Sequence, residues 1–104
     1  MKGDVVVVLF PFTNYLEAKK RPAIVLMEPG GEDVVLAAVS ATNSGPCSIY
    51  LSQHDFARGS LNRPSFIRFT ALFTVEKSLI HKNIGTLTEA KRKEVVEAIY
   101  SLLQ

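Results

Sequence analysis

The sequence predicts a mainly β fold, a small SH3-like antiparallel barrel, partly open, with its open side plugged by a C-terminal helix. Three observations carry this expectation. Short apolar, β-branched runs recur from residue 5 to residue 75, separated by turn signals rich in Gly and Pro. The hydrophobic period changes at Thr88 to that of a helix. The chain has 104 residues, 47% of them apolar, which suits one domain spanning 1–104 and leaves little room for a buried cleft, so a second subunit would help to form one.

The elements follow in order. Val5 to Phe10 is a continuous apolar run stopped by Pro11, as a buried strand requires. Pro11 to Lys20 reads as a loop, longer than a hairpin needs, and Arg21-Pro22 launches a second strand from Ala23 to Met27. Pro29-Gly30-Gly31-Glu32-Asp33 is a turn signal, so residues 21 to 40 form a hairpin whose return strand is Val34 to Val39. Thr42 to Pro46 breaks that strand, Ser48 to Leu51 is a short one, and the chain then reads as irregular through Asn62-Arg63-Pro64. Ser65 to Val75 alternates, with Phe66, Arg68 and Thr70 on one face and Ile67, Phe69 and Ala71 on the other. Beyond Thr88, a suitable N-cap followed by Glu89, the residues Val95, Val96, Ile99, Leu102 and Leu103 recur as one helix face. Five or six strands and one terminal helix result.

Composition excludes several classes. The longest apolar run, Val5 to Phe12, is 8 residues, far below the roughly 20 of a membrane helix. Met1-Lys2-Gly3-Asp4 does not open a secretory leader, so a cytoplasmic protein without membrane partners is expected. Cys47, His54 and His81 do not supply a spaced zinc quartet, and neither a metal nor a cofactor is expected. The net charge of +2 is mild, but its distribution is uneven: Glu28, Glu32 and Asp33 offset cations gathered at Lys19 to Arg21 and at Arg58 to Arg68.

Three polar groups are candidates for chemistry. Lys19, Lys20 and Arg21 form a phosphate clamp or a solvated basic turn, and Arg21 offers the planar fork that suits two phosphate oxygens. Ser40, Thr42 and Asn43 either cap a strand end or hydrogen-bond a phosphate or base edge. Arg58, Arg63 and Arg68 lie in a stretch without acids from Asp55 to Glu76; Arg68 shares a strand face with Thr70, and Arg58 and Arg63 fall in a loop. No activated nucleophile stands out, since Cys47 has no flanking cation and the two histidines, both read in loops, have no evident partner. An enzyme built from these groups needs a substrate that brings its own nucleophile. RNA does so through its 2′-hydroxyl, given a base for the proton and cations for the charge on phosphorus.

Gly3-Asp4-Val5-Val6-Val7, Phe10-Pro11-Phe12-Thr13 and Lys20-Arg21-Pro22-Ala23-Ile24-Val25-Leu26, followed by Ala37-Ala38-Val39-Ser40, Ser65-Phe66-Ile67-Arg68, Leu72 to Lys77 and Ile84-Gly85-Thr86-Leu87, resemble in order and spacing the MazF/PemK (Kid) family. The resemblance covers essentially the whole chain and implies the MazF/PemK/CcdB-type barrel. It also implies a homodimer, a metal-independent endoribonuclease of a type II toxin-antitoxin system acting on single-stranded RNA, and a cognate antitoxin whose disordered acidic segment lies across the basic groove. By the same resemblance Arg21 contacts the scissile phosphate and takes part in the acid-base step. Ser40 falls where the family has a Thr on that phosphate, and Arg68 matches a catalytic Arg. Thr70 stands where an Asp is common, and Glu17 is close enough to a family Glu or His to replace it as base. The RNA-binding set is then Lys19, Lys20, Thr42, Asn43, Arg58 and Arg63. Two rivals remain at this level: a module of the same fold that binds RNA or protein without cleavage, and a toxin that poisons DNA gyrase.

Overall fold

A computed structural model describes residues 1–10, 19–43 and 45–104. Among these residues seven strands form one antiparallel sheet in the order β4-β6-β3-β2-β1-β7-β5. They are β1 (Asp4–Phe10), β2 (Lys19–Gly30), β3 (Asp33–Ser40), β4 (Ser48–Leu51), β5 (Phe56–Gly59), β6 (Ser65–Glu76) and β7 (Ile80–Leu87). One helix, α1 (Glu89–Leu103), closes the chain. Among the described residues no helix is long and apolar enough to cross a membrane.

The continuous apolar runs of β1, β2 and β3 are explained by burial on both faces, a pattern otherwise typical of parallel sheets. Val5, Ile24, Ala37 and Val39 pack with Ile49, Leu51, Ile67 and Leu87 in one core, which Val95 of α1 completes. Their neighbours Val6, Val8, Ala23, Val25, Val34 and Leu36 pack with Val75 in a second core on the opposite face. One strand serves both cores. In β6 the register steps from Ala37↔Leu72 to Ala38↔Arg68, leaving Phe69, Thr70 and Ala71 as an insertion opposite no β3 residue. An odd insertion reverses which face the strand addresses, so Ile67 and Phe69 reach the first core while Val75, of the same parity, reaches the second.

Two of the strands lie where the sequence read loops or assigned nothing. β5 occupies part of the stretch read as irregular, so Arg58 is a strand residue, and β7 carries His81, also read in a loop. The two pair through Gly59 and Gly85. A Cβ on Gly59 would meet the Ile84 carbonyl oxygen, and one on Gly85 would come within 2.6 Å of the Arg58 carbonyl oxygen. Only glycines permit this approach, and glycine is what hides a strand from a propensity reading.

Thr88 caps α1 as expected, its Oγ1 accepting the Lys91 amide at 3.2 Å. The packed face differs from the expected one. Val95, with Ala98 and Ile99 against the same core, faces inward, whereas Val96 is 48% exposed, Leu102 57% and Leu103 78%. Successive residues turn by about 100°, so Val96 rotates off the face that Val95 defines. Leu102 returns to that face one helical repeat later, and its exposure shows that the final turn has passed the core.

Candidate active site

Pro22 shapes the site. It pairs with Val7 of β1, but it has no amide hydrogen to give, and the ladder between β2 and β3 starts one residue later at Ala23↔Ala38. Continuing that register by two residues sets Arg21 opposite Ser40. Both line an open cleft of about 390 Å³ at this end of the sheet. Lys20 lines it from β2, Lys82 and Ile84 from β7, and Ser60 to Arg63 from the segment after β5. Four cations therefore face one space: Lys20, Arg21, Arg63 and Lys82. Among the described residues none of them has an ion-pair partner, and no Asp, Glu or His lines the cleft. Like charges held together without counter-ions produce a positive field suited to a polyanion.

Ser40 is oriented within this field. Its Oγ accepts the Thr42 amide hydrogen at 3.1 Å, which leaves the hydroxyl hydrogen to be donated elsewhere. Asn43 uses its Oδ1 for a turn, accepting from the Gly45 amide at 3.3 Å. Both are the local turn bonds that these residue types form at strand ends.

The remaining sequence candidates divide. Lys19 and Lys20 are the first residues of β2, paired with Phe10 and Leu9, rather than the end of a loop. Arg58 donates from Nη2 to Thr86 Oγ1 at 2.9 Å, and Thr86 in turn donates to Asp4 Oδ1 at 2.9 Å. Asn83 Nδ2 reaches the other oxygen of the same carboxylate at 2.9 Å, so Arg58 belongs to a network tying β1, β7 and β5 together. Arg68 is exposed, paired with Ala38 and Ser48, and Thr70 is exposed within the β6 insertion; neither lines the cleft. Glu17 lies outside the described residues. Among the described residues no group of three His, Cys, Asp or Glu side chains is placed to hold a metal. Lys82 is the cleft cation that the sequence reading missed. On β7 the register slips by one residue between Val5↔Gly85 and Val6↔Asn83, so Asn83 and Thr86 share the face toward Asp4, and the polar run His81 to Asn83 followed by Gly85 masks the strand in the sequence.

Comparison with solved structures places the fold. The Mycobacterium tuberculosis toxin MazF-mt6 superposes with a TM-score of 0.74 at 21% identity, covering 96% of this chain and 95% of that one. An endoribonuclease from a Mycobacterial species gives 0.75 at 14% identity, over 99% of this chain and 89% of that one. A Mycobacterial endoribonuclease in complex with its cognate antitoxin gives 0.75 at 14% identity, over 99% and 91%. At these identities the likeness establishes the architecture alone. No curated protein sequence matches the chain. The family profile described as PemK-like, MazF-like toxin of type II toxin-antitoxin system, however, matches residues 1–103. The chain therefore belongs to the PemK-like, MazF-like toxin family of type II toxin-antitoxin systems.

Proposed function

We propose that this toxin is a metal-independent endoribonuclease that cuts single-stranded RNA. It acts in the cytoplasm as a homodimer restrained by a cognate antitoxin. The observation that carries the reading is the convergence of Arg21 and Ser40 on one cleft with Lys20, Arg63 and Lys82 around them. In the reaction the 2′-hydroxyl oxygen of the substrate bonds to the adjacent phosphorus while the bond from phosphorus to the 5′ oxygen breaks. The 2′-hydroxyl proton passes to a base, and the departing oxygen receives a proton. The products are a 2′,3′-cyclic phosphate and a 5′-hydroxyl.

Each side chain has a part in this reading. The Arg21 guanidinium, which stays protonated near neutral pH, binds the non-bridging oxygens most strongly when phosphorus carries its extra negative charge. Ser40 donates its hydroxyl hydrogen to the same phosphate. Lys20, Arg63 and Lys82 hold the neighbouring phosphates. Glu17 is the nominated proton acceptor, since a protonated guanidinium cannot take that role. Arg68 and Thr70 make no bond in the chemical step.

The test uses purified protein, unstructured RNA and EDTA. The parent is expected to leave cyclic-phosphate ends, with Arg21→Ala cutting at least a hundredfold more slowly. Intact RNA with the parent, or equal cutting by both, would overturn the reading. A second reading, RNA binding without cleavage, draws on the cleft's lack of a carboxylate or imidazole among the described residues. It predicts intact, bound RNA with a steep salt dependence.

A further inference from the structure

We infer that Asn83 is a positioning residue for the cleft: its side chain pins a one-residue bulge in β7, and that bulge turns Lys82 toward the substrate phosphates. The inference rests on the RNA reading above for what Lys82 meets, and goes beyond it in assigning what aims Lys82. Side chains alternate along a strand, so in an unbroken β7 Lys82, Ile84 and Thr86 would share one face. The pairing with β1 is not unbroken. It runs Asp4↔Thr86 and Val5↔Gly85, then Val6↔Asn83 and Val7↔Lys82, which leaves Ile84 opposite no β1 residue. One extra residue reverses the face that the strand addresses on its far side. Thr86 therefore shares a face with Asp4, and by alternation along β1 with Val6 and Val8 of the second core, whereas Lys82 lies opposite Val7, which lines the cleft. Without the bulge Lys82 would point away from the cleft.

A bulge has to be held. Beyond Lys82 a second slip leaves His81 unpaired before Val8↔Ile80, so Lys82 and Asn83 form a short paired step between two irregularities. Two ladder pairs fix a direction poorly, and Asn83 adds the missing ties. Its Oδ1 accepts the Gly85 amide hydrogen at 2.9 Å, spanning the unpaired Ile84, and its Nδ2 donates to Asp4 Oδ2 at 2.9 Å. The other oxygen of that carboxylate accepts from Thr86 Oγ1 at 2.9 Å, on the far side of the bulge. Asp4 thus clamps both flanks of the extra residue. The position calls for an amide, because one end must donate to a carboxylate while the other accepts from the backbone. Lys82 needs this support, since among the described residues no ion pair fixes its direction. The bulged residue serves the cleft too. Ile84 lines it, and the Ile84 carbonyl oxygen accepts the Ser60 amide hydrogen at 3.2 Å, where the Ser60 to Arg63 lining begins.

The test reads binding of an oligonucleotide with 2′-O-methyl groups throughout, which lacks the attacking hydroxyl, so that no cutting intervenes. Asn83→Ala should lower the slope of log affinity against log salt by about 1, as Lys82→Ala does. Added to Lys82→Ala, the same change should alter neither slope nor affinity, because no cation is left to aim. Asn83→Asp sets two carboxylates against each other and should act like Asn83→Ala. Combining it with Asp4→Asn puts an amide and a carboxylate back at the two positions with their places reversed, and should return the parent's slope. Hydrogen exchange of the Gly85 amide reads the bulge with no RNA present. It should run roughly two- to tenfold faster in Asn83→Ala and at the parent's rate in the double substitution. A parental salt slope or a parental Gly85 exchange rate in Asn83→Ala would overturn the inference. So would a further loss of affinity on adding Asn83→Ala to Lys82→Ala, which would make Asn83 a general prop of the fold, and so would a double substitution that fails to restore the slope. If Asn83→Ala does not fold, Asn83→Asp with and without Asp4→Asn decides the same question. If the pattern holds while the parent leaves ordinary RNA intact, Asn83 keeps its role and the cleavage reading falls.

Discussion

The two ends of the β2–β3 hairpin carry opposite charge and dispose of it differently. At the turn, Glu28 accepts from the Met1 amino group at 3.1 Å and pairs with Lys77 at 3.7 Å, so its charge is neutralised within the protein. At the open end Lys20 and Arg21 join Arg63 and Lys82 around a cleft with no described carboxylate. Between the ends, Ala23 to Val25, Val34 and Leu36 lie in two cores and carry no charge. The mild formal net charge of +2 thus conceals local charge of opposite sign at the two ends of this hairpin. At the turn one carboxylate, Glu28, finds its counter-charges within the protein, whereas among the described residues the cations of the open end find none, which suits them to a polyanion.

The largest expected effect is on chemistry. Arg21→Ala should reduce RNA cleavage by about two to three orders of magnitude, the cost of losing one preorganised donor to a developing oxyanion. Glu28→Ala, at the other end of the same strand, should leave the rate unchanged. Matched circular dichroism spectra would show that both variants fold, and equal losses of activity would erase the contrast between the ends.

A smaller effect tests what holds the cleft's far wall. Lys82 is carried by β7, and β7 is fixed against β5 where Gly85 faces Gly59. Gly85→Ala puts a methyl within 2.6 Å of the Arg58 carbonyl oxygen and 2.8 Å of the Phe56 ring, so backbone or ring must yield. The expected cost is about 1–3 kcal/mol in urea unfolding. An unchanged midpoint would mean that the β5–β7 contact is looser than this geometry requires. Smaller again is Lys82→Ala, which should weaken RNA binding across sequences and lower the salt slope by about 1, leaving stability untouched.

How much of this was legible in the sequence depends on where each residue spends its side chain. The strands buried on both faces announced themselves, because Val5 to Phe10 and Val34 to Val39 have no reason to be apolar throughout unless both faces are covered. Thr88 marked the helix start for a local reason, its bond to the Lys91 amide. β7 was hidden because its first half faces water with His81, Lys82 and Asn83 and its second half narrows to Gly85. Arg21 and Ser40 could be nominated from residue type and family resemblance, but their convergence depends on the β2–β3 register, and that of Lys82 on the crossover from β5 through β6 to β7.

The smallest effect closes the contrast at the acidic end. The hydrogen bond from the Met1 amino group, aided by the charges of that group and Lys77, holds the Glu28 carboxyl below its ordinary value of 4.5 against a weaker opposing push from burial. A lowered native value means that the unfolded chain binds more protons across that interval, so stability rises with pH there. The contribution is complete above about pH 4.5 and is lost as pH falls through the native value. Glu28→Gln removes it at all pH values. The difference in urea midpoint between parent and variant should therefore be constant near neutrality and shrink as pH is lowered below the ordinary carboxylate range. Both partners are partly solvated, so molar salt should shrink the neutral-pH difference as well. A difference that stays constant into acid would assign the Glu28 effect to packing of its stem instead of to its charge.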